Sequence, residues 1–146
     1  MTTKEWLSRG WRIDREIKEL EQAQQEALTL ATRTTAGTDG ERVDGGGGNS
    51  SERAMVAYAD KAAEYAALIE EKLRGLIGIK IEIIQAVAQM EERYSNYRAI
   101  LIARYINFKK WEQIAEDFHV EERTIFKMHG RALFLLDRAL KFSIKG

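Results

Sequence analysis

Apolar residues recur along this chain at intervals of three and four. That is the spacing of one helical face, not the two-residue alternation of a strand. From residue 3 to about 33, Trp6, Gly10, Ile13, Ile17, Leu20, Gln24, Ala27 and Ala31 follow a 4-3-4-3 spacing, one seam of a coiled coil. Thr2 and Glu5 ahead of it fit a capping box, the hydroxyl accepting from a free N–H and the carboxylate reaching back. A second run starts behind Asn49 and Glu52, another such pair. Met55, Tyr58, Ala62, Tyr65 and Ile69 keep the spacing. Leu73, Leu76, Lys80, Ile83, Val87, Met90 and Tyr94 continue it after a one-residue slip near Gly75 and Gly78, where a bend or a close helix contact is expected. A helix over residues 50–93 would be about 65 Å long. That length suits an antiparallel hairpin with the first helix, or a dimer stalk.

The last third breaks into three shorter periodicities. Ser95 can cap a helix over 96–106 with Tyr97, Ile100, Leu101, Arg104 and Tyr105 inward. NFKK makes a turn. Trp111 to Phe118 is the next helix, burying Trp111, Ile114, Ala115 and Phe118, and His119-Val120 is a tight connection. The final helix starts near Glu121 and reaches about Phe142. Its stripe is Ile125, Met128, Ala132, Leu135 and Ala139, widened by Leu133, Leu136 and Leu140. Gly130 within it is expected to serve a close approach to a preceding helix. This succession is that of a helix-turn-helix.

The expected fold is therefore all-α: a long helical hairpin or coiled coil plus a C-terminal helix-turn-helix. Residues 1–33 form the N-terminal helix, 34–49 a flexible Gly-rich linker, 50–94 the long arm and 95–146 a DNA-binding domain. Six Gly between Gly37 and Gly48 support the linker. GGGGNSS lacks the Lys and the preceding strand of a phosphate loop.

Composition narrows the chemistry. Pro is absent from the 146 residues, as long helices require, and so is Cys, which excludes disulfides and thiolate metal sites. The start has no apolar core of signal-peptide length, and no run is long enough to cross a bilayer. A cytoplasmic protein without membrane contact is expected. Net charge is zero, yet residues 95–146 hold ten Lys/Arg against six Asp/Glu, a local excess of +4. Such a balance permits a localised phosphate-facing surface rather than indiscriminate polyanion binding.

Arg123, Lys127, Arg131 and Arg138 lie at intervals of four, four and seven, one stripe opposite the Ile125/Met128/Ala132 face. In a groove the first would reach bases and the later ones phosphates. Lys109 and Lys110 occupy the turn where backbone contacts are common, and Phe126 could touch a thymine methyl. His119 and His129 are the only histidines, and their ten-residue separation makes a poor zinc site. Packing suits His129 better. Neither a catalytic constellation nor a nucleotide loop is present, so no enzyme, no metal and no cofactor is expected.

The stretch WEQIAEDFHVEERTIFKMHGRAL resembles region 4 of sigma factors, the helix-turn-helix that reads promoter DNA. With WLSR near the start, LIARYINFKKWEQIA from Leu101 to Ala115 and HGRAL from His129 to Leu133, the chain is similar to small phage-encoded regulators of the ArpU/RinA type. That resemblance implies transcription regulation. It places Glu122, Arg123, Phe126, Lys127 and Arg131 on the outward face of a recognition helix. The expectation is a phage or prophage DNA-binding transcription regulator in a bacterial host, with double-stranded DNA as partner, RNA polymerase as a further one, and a homodimer. Two rivals stand beside it. The same domain could dock on a protein, consistent with Glu121, Glu122 and an exposed Phe126, or serve DNA recognition in a phage packaging complex.

Overall fold

The computed structural model describes the backbone of residues 1–37 and 46–145, and the side chains of 1–33 and 50–141. Among them all regular structure is helical: α1 (Thr3–Leu7), α2 (Arg9–Gly37), α3 (Gly46–Val87), a short 3-10 turn (Glu92–Tyr94), α4 (Ser95–Tyr105), α5 (Trp111–Asp117) and α6 (Glu122–Lys145). The fold is all-α. No helix among the described residues is long and apolar enough to cross a membrane. Residues 38–45 of the expected flexible linker lie outside the described residues.

The Thr2/Glu5 capping box forms as the spacing requires. Glu5 N–H donates to Thr2 Oγ1 and Thr2 N–H to Glu5 Oε2, both at 3.1 Å. The first helix is nevertheless not continuous. Ser8 donates its hydroxyl to the Lys4 carbonyl at 2.7 Å and closes α1, before α2 starts at Arg9. The offset makes Leu7 the fully buried residue there, while Trp6 is half-buried. Helix α3 begins at Gly46, so Asn49 lies inside it and not at its cap. It ends at Val87, earlier than the expected end between Glu92 and Tyr94. Ser95 likewise opens α4 from within: Tyr94 is the cap and no side chain caps the end.

Two features of α3 correct the expected seam. The helix passes through Gly75 and Gly78 without a break, and a Cβ at either would meet nothing within 4 Å among the described residues. The register does not slip. Ala62, Ile69, Leu76 and Ile83 are all buried at seven-residue steps, while Leu73 is 42% exposed. Gly130 on α6 is also open and serves no close approach among the described residues. Gly10 does: a Cβ there would lie 3.3 Å from the Phe108 ring.

The chain divides into two compact units, residues 1–13 with 75–146, and residues 14–74. In the second unit Ile17, Ala27 and Ala31 of α2 and Ala62 and Ile69 of α3 are buried. Glu16 of α2 pairs with Lys72 of α3 at 2.7 Å. In the first unit α6 packs on α1, α4 and α5. One cluster joins Leu7, Ile83, Val87, Leu101, Tyr105 and Leu136 with their neighbours. A second joins Ile100, Ile114, Ala115 and Ile125. Residues before position 95 therefore supply part of the core of the C-terminal unit. A single stripe of spacing cannot reveal this, because it does not say which stripe lies opposite.

Candidate nucleic-acid interface

The turn between α5 and α6 is tight because two carbonyls are capped in succession. His119 N–H donates to Glu116 O at 3.1 Å and Val120 N–H to Ala115 O at 3.0 Å. His119 takes the left-handed conformation that this closure needs, at φ 57°. Ile125, Ala132 and Leu136 of α6 are then fully buried. The opposite face is left open.

On that face Arg123, Lys127, Arg131 and Arg138 are exposed. Each four-residue step advances about 6 Å along the axis, so the cations form a row. Phe134 completes it, half-exposed between the guanidinium carbons of Arg131 at 5.4 Å and Arg138 at 5.9 Å. The sequence pass overlooked Phe134, although it falls between two members of the stripe. Glu122 and Phe126 are exposed too, but to one side of the row. The Phe126 ring meets Trp111 edge-on at 5.6 Å.

The two turn lysines separate. Lys109 pairs with Asp117 at 2.9 Å, clamping the two ends of α5. Lys110 stands exposed at the N-cap of α5 without a capping bond, since its side chain has no acceptor. Arg93 is a cation that periodicity did not flag. A shallow hollow between the 3-10 turn and α6 gathers Arg93, Arg131 and Arg138 over Met90 and Leu135. Arg93 is paired there with Glu91 at 2.7 Å.

Behind the basic row lies an aromatic support. The Arg104 guanidinium sits 4.5 Å from both the Trp11 and the Trp111 ring, and donates to the Lys109 carbonyl at 2.9 Å. Burial, against the opposing effect of Tyr105, lowers its pKa from the ordinary arginine value. Trp11 Nε1–H donates to the Arg104 carbonyl at 3.1 Å. Trp111 is thus a half-buried plate between Arg104, Phe126 and His129 rather than a fully buried core residue. His129 is buried, as packing predicts, with Nε2 2.7 Å from the Tyr105 hydroxyl.

No group of three or more His, Cys, Asp or Glu that could hold a metal ion occurs among the described residues. Protein-family models, curated proteins and solved structures all return no match to this chain.

Proposed function

We propose that this chain is a DNA-binding transcription regulator of the phage-encoded, sigma-region-4-like kind. In this reading α5, the His119 turn and α6 are a helix-turn-helix, with α6 in the major groove, and α2 with α3 form a hairpin arm. The observation that carries it is the row Arg123, Lys127, Arg131 and Arg138, exposed along one side of a helix whose other side is core. A row of cations spaced by helical turns matches a polyphosphate backbone better than a compact ligand. Arg93 extends the same surface beyond α6.

Fluorescence anisotropy on promoter-length duplexes, repeated over a range of salt, tests the reading. Binding that weakens log-linearly with salt and is lost on removing Arg123 and Lys127 supports it. Salt-independent behaviour, or no binding at low salt, overturns it. A second reading follows from Glu121, Glu122 and the half-exposed Phe126. Two carboxylates at the leading end of α6 repel phosphate, and beside an open aromatic ring they suit a basic, apolar protein surface. Retention of RNA polymerase by the intact chain, lost with Phe126→Ala, would favour that alternative.

A further inference from the structure

Five helices turn aromatic or cationic side chains onto one hollow in the unit of residues 1–13 and 75–146. Lys4 and Trp11, seven residues apart, come from α1 and α2. Arg104 and Tyr105 come from the end of α4, and Trp111 opens α5. Phe126 and His129, three apart on α6, close it. The hollow measures about 280 Å³. A cavity of roughly 150 Å³ takes one benzene ring, so there is room for about two fused rings and a short polar arm. Its walls are flat. Trp111 meets the His129 ring edge-on at 4.6 Å and the Phe126 ring at 5.6 Å. The Trp11 and Trp111 ring centroids each lie 4.5 Å from the Arg104 guanidinium carbon.

The charge on this hollow is all of one sign. Lys4 has no carboxylate partner among the described residues. Arg104 makes one side-chain hydrogen bond, from Nη1 to the Lys109 carbonyl at 2.9 Å, and it too pairs with no carboxylate among them. No acidic residue lines the hollow, and Glu5, beside Lys4 in sequence, is turned to the Thr2 N–H. Other lysines of the chain are matched: Lys72 with Glu16, Lys109 with Asp117 and Lys141 with Asp137. His129 adds no third charge at neutral pH, since burial holds it down to about 4. Two unmatched cations beside aromatic faces attract an anion. They also exclude the ammonium ligands that aromatic cages otherwise take. A guanidinium stacked against ring faces offers its edge, a flat set of donors that matches the two oxygens of a carboxylate. A flat ring joined to that carboxylate gains edge and stacking contacts with the indoles and the phenyl ring. We propose that this hollow binds a small planar aromatic carboxylate, its ring against Trp111 and Phe126 and its acid group on Lys4 and Arg104. Neither DNA nor RNA polymerase is needed for this, so it stands apart from the function proposed above.

Isothermal titration calorimetry of the full chain tests it, with naphthoate as probe and naphthamide as its neutral counterpart. The acid should bind with a dissociation constant below about 1 mM, and the amide at least about tenfold more weakly. The Trp11 indole N–H, which donates to the Arg104 carbonyl, reports the place, and its proton resonance should shift with the acid. Lys4→Gln and Phe126→Ala alter exposed side chains, so helicity by circular dichroism should be kept. Each should weaken naphthoate at least about fivefold. Arg104→Lys keeps the charge but loses the planar fork, and should weaken it as much. Lys61→Gln removes an exposed ammonium from the other unit and should change nothing. No binding of naphthoate up to about 10 mM, equal affinity for acid and amide, or a loss with Lys61→Gln as large as with Lys4→Gln would each overturn the proposal. Tighter binding of naphthylmethylammonium than of naphthoate would overturn it as well.

Discussion

Tyr105 and His129 are held together by a 2.7 Å hydrogen bond between the phenol oxygen and Nε2, in the interior of the C-terminal unit. Burial pushes the Tyr105 hydroxyl up to about 12, so it is a donor at any ordinary pH. Burial, with Lys4 and Arg104 adding to it, pushes His129 down to about 4, so its imidazole is neutral.

That pair makes stability depend on acid in a stated window. His129 in the unfolded chain protonates near 6.5, but in the fold only near 4. The unfolded state therefore binds the extra proton first. Stability is full above about pH 6.5 and falls as the pH drops towards 4, by up to about 2–3 kcal/mol. His129→Gln keeps a group that can accept from Tyr105 but cannot titrate. Its urea midpoint should be lower at pH 7 and flatter between pH 7 and 4.5. An unchanged slope in that variant would place the acid sensitivity elsewhere.

His119 predicts a stabilising change. It is one of two described non-glycine residues with positive φ, and its side chain is exposed. Glycine takes that conformation at no steric cost. His119→Gly should raise stability by about 0.5–1 kcal/mol, visible as an upward shift of the melting temperature. Phe108, at φ 53°, should behave oppositely. Its ring lies 5.0 Å from Trp11 and beneath the Lys80 ammonium at 4.8 Å, contacts that a glycine would lose.

Trp111→Ala should cost about 2–4 kcal/mol by denaturant titration. The plate it removes supports Arg104 on one side and Phe126 and His129 on the others. Arg104→Lys should recover little of the wild-type contact, because an ammonium cannot stack as a planar guanidinium does between two rings.

A fragment of residues 95–146 should not fold as the full chain does. It lacks Leu7, Ile83, Val87 and Met90, all nearly fully buried against Leu101, Tyr105 and Leu136. Losing several such side chains at about 1.5–3 kcal/mol each exceeds the margin of an ordinary domain. Amide exchange on the fragment should show little protection in α4 and α6. Native-like protection would mean that the two halves of this core are independent.

If α6 reads DNA, its row should divide by role. Arg131→Ala should weaken all sequences alike and lower the salt slope by about one. Arg123→Ala should cost about 1–3 kcal/mol and relax preference at one base pair. Glu122→Gln should raise non-specific affinity. Three variants that bind as wild type does, on specific and scrambled duplexes, would remove α6 from the contact.

Some of this was readable from spacing and some was not. The all-α content follows from the three-and-four periodicity and the absence of Pro. The termini of α4, α5 and α6 lie within a residue or so of the expected ones, except for the C-terminal end of α6, which runs on to Lys145. The openness of Arg123, Lys127 and Arg131 follows from their lying opposite Ile125. Partnership was not readable. Leu73 belonged by spacing to a seam, and the true seam runs beside it, since α3 has apolar residues on two faces. Leu7 was passed over because Ser8 interrupts the helix and shifts the phase. Arg93 reaches the basic row from a 3-10 turn, which has no pattern to read. Gly75, Gly78 and Gly130 suggested close contacts, and among these and Gly10 only Gly10 has one with the described residues.

Thr3 donates to Asp137 across 134 residues of sequence at 3.0 Å, and Leu7 closes the same core. This fixes an order of events. The unit that joins residues 1–13 to 75–146 cannot close until α6 has been synthesised, whereas residues 14–74 between them are complete earlier. Contacts of such long sequence separation are slow to form, because loop closure is unfavourable until they do. During synthesis Leu7 and Trp11 therefore wait without their final neighbours. The C-terminal unit is then the last to acquire a native core.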